Sequence, residues 1–364
     1  MTARSTLSLR ALNRATLARQ LLLARERVPV LRAVERLAGL QAQLARPPFV
    51  GLWSRIEGFR REALGRLLER REAVRGTFFR HTIHLVSARD FAAFRATVQA
   101  ALDRSSRSVL RGVRADVAEV LAEARAFFVE EPRTFEALRA HLAERFPGDD
   151  PRQLAFAVRT WLPLVQVPSG GPWAFPAAAA FAVAESWLGE PLAAASAREA
   201  LVLRYLAAFG PATAADAQTW SGVPDLRPAV EALRPRLRAF RDEDGRELLD
   251  LPRAPRPGED APAPVRFLPE YDNLMLGHAD RRRVVSDVHR ARMTTRNLII
   301  PGTVLVDGFV AGLWKATRTK ETSRVEVEPL GLPRAARAAV LEEGEALARF
   351  LEPDAARAEV VIRR

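Results

Sequence analysis

In the stretch GLQAQLARPPFVGLWSRI, which starts at Gly39, two side-chain amides flank a single alanine: Gln41 and Gln43. A glutamine amide does not titrate in the useful range, so neither residue can serve as a general base or a nucleophile. Each can accept through its carbonyl and donate through its NH₂ group, which is enough to hold and aim a water. The chemistry this permits is a hydrolysis whose leaving group needs no help. The competing expectation is that two glutamines beside a Pro-Pro pair are solvated surface. Pro47 pushes Arg46 towards extended geometry, and in an extended chain residues i and i+2 share one side. On a helix they would lie about 200° apart and could not act together. The pair is therefore placed at a helix end or in an extended segment.

The rest of the composition narrows the options. The 364 residues contain no cysteine, which removes disulfides, thiolate nucleophiles and cysteine-held metals. Lys315 and Lys320 are the only lysines, so a Schiff-base mechanism is not expected. His81 and His84 are three apart, a helix-face spacing, but they fall in a predicted strand and point oppositely, so no metal is expected. No phosphate-binding loop, dinucleotide fingerprint or serine elbow occurs, and no cofactor is expected. No apolar run reaches the roughly 18 residues of a membrane span, and the N-terminus has no apolar signal core, which predicts a cytoplasmic protein.

The formal net charge is +12, carried almost entirely by arginine. It is uneven: residues 1–112 hold 22 Arg against 8 acidic residues, a surplus of +14, and the remainder sums to −2. A basic front on a nearly neutral body predicts a polyanion-binding protein. What survives is DNA or RNA binding, with or without a reaction needing little acid–base help. A purine alkylated at N7 meets that condition. It carries a positive charge, its glycosidic bond is weak, and it departs through an oxocarbenium-like state. The protein then has only to orient water and stabilise developing charge.

The elements that must position these groups recur in order. LSLRALNRATLARQLLL, VLRAVERLAGL (30–40) and REALGRLLER (61–70) have helical spacing, and GTFFRHTIHLV (76–86) reads as one or two strands. Ser87 and Asp90 start a further helix. A second copy runs through a helix at 115–129, TFEALRAHLAERF, RQLAFAVRTWL and a strand, Gly-Gly turn and strand in VQVPSGGPWAF. A third comprises REALVLRYLAAFG, PATAADAQTWSG and LRPAVEALRPRL, with a hairpin around Asp244-Gly245. PRAPRPGEDAPAP (252–264) is a linker or an ordered wrap. Beyond it the chain turns β-rich, with a hairpin at Asp307-Gly308, a helix at about 333–350 and a closing strand. The predicted fold is α+β: three tandem winged-helix units at 1–113, 114–190 and 191–260, then a β-rich unit at 261–364.

LNRATLARQLLL, the Gln-apolar-Gln segment, FRHTIHLVSARDF and FLPEYDNLMLGHADRRRVV together resemble the AlkZ-like family of winged-helix DNA glycosylases over essentially the whole chain. The resemblance implies three winged helices and a β-rich part that form a concave, basic channel for duplex DNA. It implies monofunctional excision of N7-alkylated purines, unhooking of interstrand crosslinks, and an association with self-resistance to DNA-crosslinking natural products. The family's signature glutamines map onto Gln41 and Gln43 as holders of the nucleophilic water. A sister branch carries Asp at the second position, so Gln43 places this chain in the amide branch. Candidate DNA contacts are Arg46, then Arg80, His81, Thr82 and His84, then Tyr271, Asp272, Asn273, His278, Arg281 and Arg282. The second polar cluster has bracing of the catalytic loop as its alternative role. The expected partner is double-stranded DNA bound by a monomer. The competing functions are a non-enzymatic winged-helix regulator and a lesion-binding protein without activity.

Overall fold

A computed structural model of the chain describes residues 6–106, 109, 112–293 and 299–363. The fold is α+β, and the strands collect into sheets of three, five and five. The first helix, Leu9–Arg19, is capped by Ser8, whose side chain accepts from Ala11 N at 3.0 Å. Helices Val30–Arg36, Pro47–Trp53 and Arg61–Glu69 follow. Between the second and third lies a two-residue strand, Leu40–Gln41, at the edge of a five-stranded sheet. Its neighbour is the hairpin strand Ile83–Ser87, with Leu40 opposite Leu85 and Gln41 opposite His84. The other hairpin strand is Ala73–Thr77. Ser87 Oγ accepts from Asp90 N at 3.1 Å and starts the long helix Ala88–Ser106.

The second copy of the pattern joins that same sheet. Strand Leu164–Gln166 bridges to Ala73–Thr77 at Gly76 and Val165, and Phe181–Val183 closes the far edge. The chain turns at Gly170-Gly171 (φ 81° and 78°), with Ser169 N donating to the Ala174 carbonyl at 3.0 Å, but the strand expected directly after the turn is absent and the returning strand begins at Phe181. The reason is aromatic burial. Trp173 packs edge-on against Phe49 at 5.4 Å, and Phe175 lies under the Arg75 guanidinium at 4.9 Å. Packing against the first unit outcompetes local strand pairing for the Trp-Ala-Phe segment.

The third copy follows the expected order: helices Arg198–Phe209, Ala214–Ser221 and Arg227–Leu233, then strands Arg238–Asp242 and Glu247–Asp250. Thr213 and Asp216 form a reciprocal capping box at the middle helix. The N-terminal strand Thr6–Leu7 adds parallel to this hairpin. Residues 252–264 form an ordered wrap. Arg14 Nε donates to the Ala261 carbonyl at 2.7 Å, and Arg256 donates to the Leu251 and Pro252 carbonyls. In the C-terminal sheet, strands Gly302–Val306 and Phe309–Arg318 meet at Asp307 (φ 48°) and Gly308 (φ 82°), the paired positive φ of a tight hairpin turn. Helix Arg337–Leu351 and strand Arg357–Ile362 close the chain.

Much of the basic charge of the front end is spent inside the molecule. Arg10 and Arg14 pair with Asp307, Arg19 with Asp250, Arg25 with Glu343, Arg46 with Glu270 and Arg55 with Asp272. The surplus in residues 1–112 is therefore partly an interlock with acids from the second half of the chain.

Candidate active site

Gln41 is in extended backbone on the edge strand and only 6% exposed. Its Oε1 accepts from Arg80 Nη2 at 2.8 Å. The same nitrogen lies 3.4 Å from His84 Nε2, and Arg80 Nη1 donates to the Trp220 carbonyl. Burial, then the neighbouring Arg281, lowers the Arg80 guanidinium to about 10, which leaves it cationic at neutral pH. Burial, then Arg80, holds His84 well below the ordinary histidine range. His84 is thus a neutral imidazole. It donates from Nδ1 to the Thr82 carbonyl at 3.2 Å, which leaves Nε2 as the acceptor facing Arg80.

Gln43 is exposed and lies two residues further on, in the bend that follows the strand. Its Oε1 accepts from Ile83 N at 3.3 Å. The backbone between the amides is pinned from both sides. Ala42 N donates to the Ile83 carbonyl at 2.7 Å, while Arg75 donates to the carbonyls of Ala42 (2.9 Å) and Gln43 (3.4 Å). Arg75 lies just before the strand predicted at 76–86 and is not among the expected site residues; its contact with Ala42 spans a strand between them, and no local signal in the sequence points to it. Among the described residues, each amide uses one carbonyl lone pair on the protein and no N–H donor. Each keeps a second lone pair and two N–H donors.

Behind Gln41 is a small pocket lined by Gln20, Gly39, Arg55, Tyr271, Asp272 and Asn273 among others, with about 10 Å³ for the centre of a water molecule. That is room for about one. Asp272 accepts from both Arg55 Nη atoms at 2.9 Å, and Asn273 Nδ2 donates to the Gly39 carbonyl at 3.0 Å. Asn273 Oδ1 is buried with no hydrogen-bond partner among the described residues. Tyr271 has a positive φ of 61° at the pocket wall.

These contacts redistribute the candidate DNA residues. Asp272, Asn273 and His278 are buried braces, with 5%, 5% and 1% exposure. His278 donates from Nε2 to the Phe209 carbonyl at 3.0 Å and is lowered to about 3 by burial and then Arg283. His81 turns towards the second unit, with Nδ1 2.6 Å from Ser105 Oγ and its ring 5.0 Å from Phe156. Thr82 Oγ1 donates to the Phe79 carbonyl at 3.0 Å. Arg46 is helical (φ −66°, ψ −44°), not extended, because its ion pair with Glu270 and the start of helix Pro47–Trp53 override the bias from Pro47. Arg282 pairs with Asp280 and Asp244. Arg281 is half-buried, and its side chain has no carboxylate or hydrogen-bond partner among the described residues. No group of three or more potential metal ligands occurs among the described residues.

The AlkZ-like DNA glycosylase family profile matches residues 34–350, a span that includes Gln41, Gln43, Arg80 and His84. The chain belongs to the AlkZ-like DNA glycosylase family. Its fold is similar to that of Streptomyces sahachiroi DNA glycosylase AlkZ, with a TM-score of 0.80, 21% identity, and coverage of 98% of this chain and 100% of that one. A search of curated proteins finds no match. As a member of this AlkZ-like family the chain is a DNA glycosylase, and among its described residues no helix is long and apolar enough to cross a membrane.

Proposed function

We propose that this glycosylase hydrolyses the N-glycosidic bond of N7-alkylated purines in duplex DNA, bulky adducts and interstrand crosslinks included. The observation that carries the reading is the composition of the site. Gln41 and Gln43 offer neutral donors and acceptors two residues apart, while Arg80, bonded to Gln41, and His84, opposite it on the next strand, keep a fixed charge state across neutral pH. Such a site can orient a water but cannot protonate a leaving base. Only a base that is already cationic departs readily from it. Two amides beside the sugar C1′ hold the water, and Arg80 and Arg281 leave the site positive, which suits a polyanion.

The units at 1–113, 114–190 and 191–260 act as winged helices that line a concave channel with the unit at 261–364, and a single chain carries the whole site. Arg281 supports a phosphate contact, because it has charge to spare; Arg46 and Arg282 contribute less, each being paired with acid. Resistance to a DNA-alkylating natural product is the matching physiological role. The test is release of free base from a duplex with one N7-methylguanine and from a duplex with one N7-linked crosslink. Base release with an abasic strand left behind is the expected result. Tight binding with no base released would identify a lesion-binding protein instead.

A further inference from the structure

Arg80 is an unusual guanidinium. Its backbone is left-handed (φ 53°, ψ 22°), as is that of His81 (φ 58°). For non-glycine residues this is held only where surrounding packing over-determines it. That packing is present. Phe78 and Phe79 are fully buried just before it, and Phe79 sits 4.2 Å from Trp220 in the third unit. The end of the Trp220 helix reaches Arg80 through Gly222 (φ 75°), where an added Cβ would lie 3.1 Å from Arg80 Cα.

Its partners are equally particular. Among the described residues Arg80 has no carboxylate; it meets the Trp220 carbonyl, Gln41 Oε1 at 2.8 Å and the neutral His84 Nε2 at 3.4 Å. A guanidinium given only neutral acceptors is a costly way to fix a fold, which an apolar side chain would fill more cheaply. What it does supply is orientation. Arg offers donors only, so the Gln41 amide must turn its oxygen inward and its NH₂ group outward.

We propose that Arg80 is a positioning residue: anchored on the Trp220 carbonyl, it sets which end of the Gln41 amide faces the DNA and couples that amide to the third unit. The proposal rests on the catalytic reading of Gln41. Arg80 itself touches neither water nor sugar in this arrangement. Its cation also belongs behind Gln41, since a positive charge placed directly at the oxocarbenium-like carbon would oppose the reaction.

The test uses the full chain with Arg80→Met, which keeps the apolar stem and removes the donors, and Arg80→Lys, which keeps the charge and one donor site. Single-turnover excision from an N7-methylguanine duplex at saturating protein should fall ~10²-fold in Arg80→Met, the scale of a displaced catalytic contact. Arg80→Lys should recover part of that loss. Adding Arg80→Met to Gln41→Ala should produce no further slowing. Independent, multiplying losses, or a loss that appears only in Kd, would make Arg80 a DNA contact and overturn the proposal. A second readout needs no activity. The Gln41 NH₂ resonance pair, identified by its disappearance in Gln41→Ala, should be ordered in the parent and motionally averaged in Arg80→Met, with Gln43 unchanged. An equally ordered Gln41 amide in a folded Arg80→Met protein would also overturn it. If Arg80→Met does not fold, Arg80→Lys carries both readouts: a partial rate loss with a partly mobile amide is expected, and no change in either contradicts the proposal. If the parent excises nothing, the function reading fails, while the amide order still decides the Arg80–Gln41 contact.

Discussion

Arg55 and Asp272 form a two-pronged ion pair across 217 positions of sequence, with both N···O distances at 2.9 Å and side chains 1% and 2% exposed. The pair stands directly behind the pocket beside Gln41. It joins the end of the helix that follows the two glutamines to the Tyr271–Asn273 corner of the C-terminal unit. Buried pairs of this kind specify register more than they add stability, but breaking one leaves an uncompensated charge.

Asp272→Ala is therefore expected to lower unfolding free energy by ~3–5 kcal/mol in urea denaturation. The salt dependence of DNA binding should not change. A variant of parental stability with altered DNA affinity or a steeper salt slope would instead return Asp272 to the DNA surface.

How much of this was legible beforehand differs residue by residue. The extended backbone at Gln41 and the hairpins at Asp244-Gly245 and Asp307-Gly308 are local features, set by side-chain type and turn chemistry, and the sequence carries them. Long-range partners are another matter. Nothing near Arg46 announces Glu270, nothing near Arg55 announces Asp272, and the +14 surplus of the front end hides how much of it is matched across the molecule. The left-handed Arg80 could not be read either, because its conformation is imposed by Phe79 and Trp220 packing between units. The same interunit packing draws Trp173 and Phe175 out of the strand that their sequence predicts.

Binding to undamaged duplex should remain strongly salt-dependent. With about six phosphates neutralised, affinity falls on the order of 10³-fold between 50 and 200 mM salt. Arg281→Ala should reduce the slope by about one, whereas Arg46→Ala, already matched by Glu270, should change it little. A nearly flat salt response of the parent would remove the basic-channel reading.

The histidines give a pH dependence with a definite sign. His81 is lowered to about 4 and His278 to about 3, chiefly by burial, and buried His84 is lowered well below its ordinary value. Unfolded histidine titrates near ~6.5, so between there and the folded values the unfolded chain binds more protons. Stability is therefore full above about pH 7 and is lost as pH falls, by up to ~1.4 kcal/mol per pH unit for each buried histidine, less for half-exposed His81. Melting temperature against pH checks this. Excision, by contrast, should be level between about pH 6 and 8 while the protein stays folded, since neither Arg80 nor His84 changes charge there. A bell-shaped rate profile centred in that window would reveal an acid–base pair.

Product chemistry is the next expectation. The only lysines, Lys315 and Lys320, lie on or beside strand Phe309–Arg318, and Lys315 pairs with Glu326 at 3.5 Å. The abasic strand should stay intact until hot alkali is added, and borohydride should trap no covalent complex. A trapped adduct contradicts this.

The most direct measurement is the single-turnover rate of N7-methylguanine excision by the parent, Gln41→Ala, Gln43→Ala and the double variant. Each single change should slow excision by ~10²-fold, or 2–3 kcal/mol, with DNA affinity within a few-fold of the parent. The double variant should lose less than the product of the two, because both amides hold one water. Gln41→Ala should also be the less stable single variant, since it removes one of the few acceptors of the buried Arg80 guanidinium, and Gln43→Asp should outperform Gln43→Ala. A double alanine variant that excises at the parental rate would contradict the account, leaving Gln41 and Gln43 as residues of the sheet edge and nothing more.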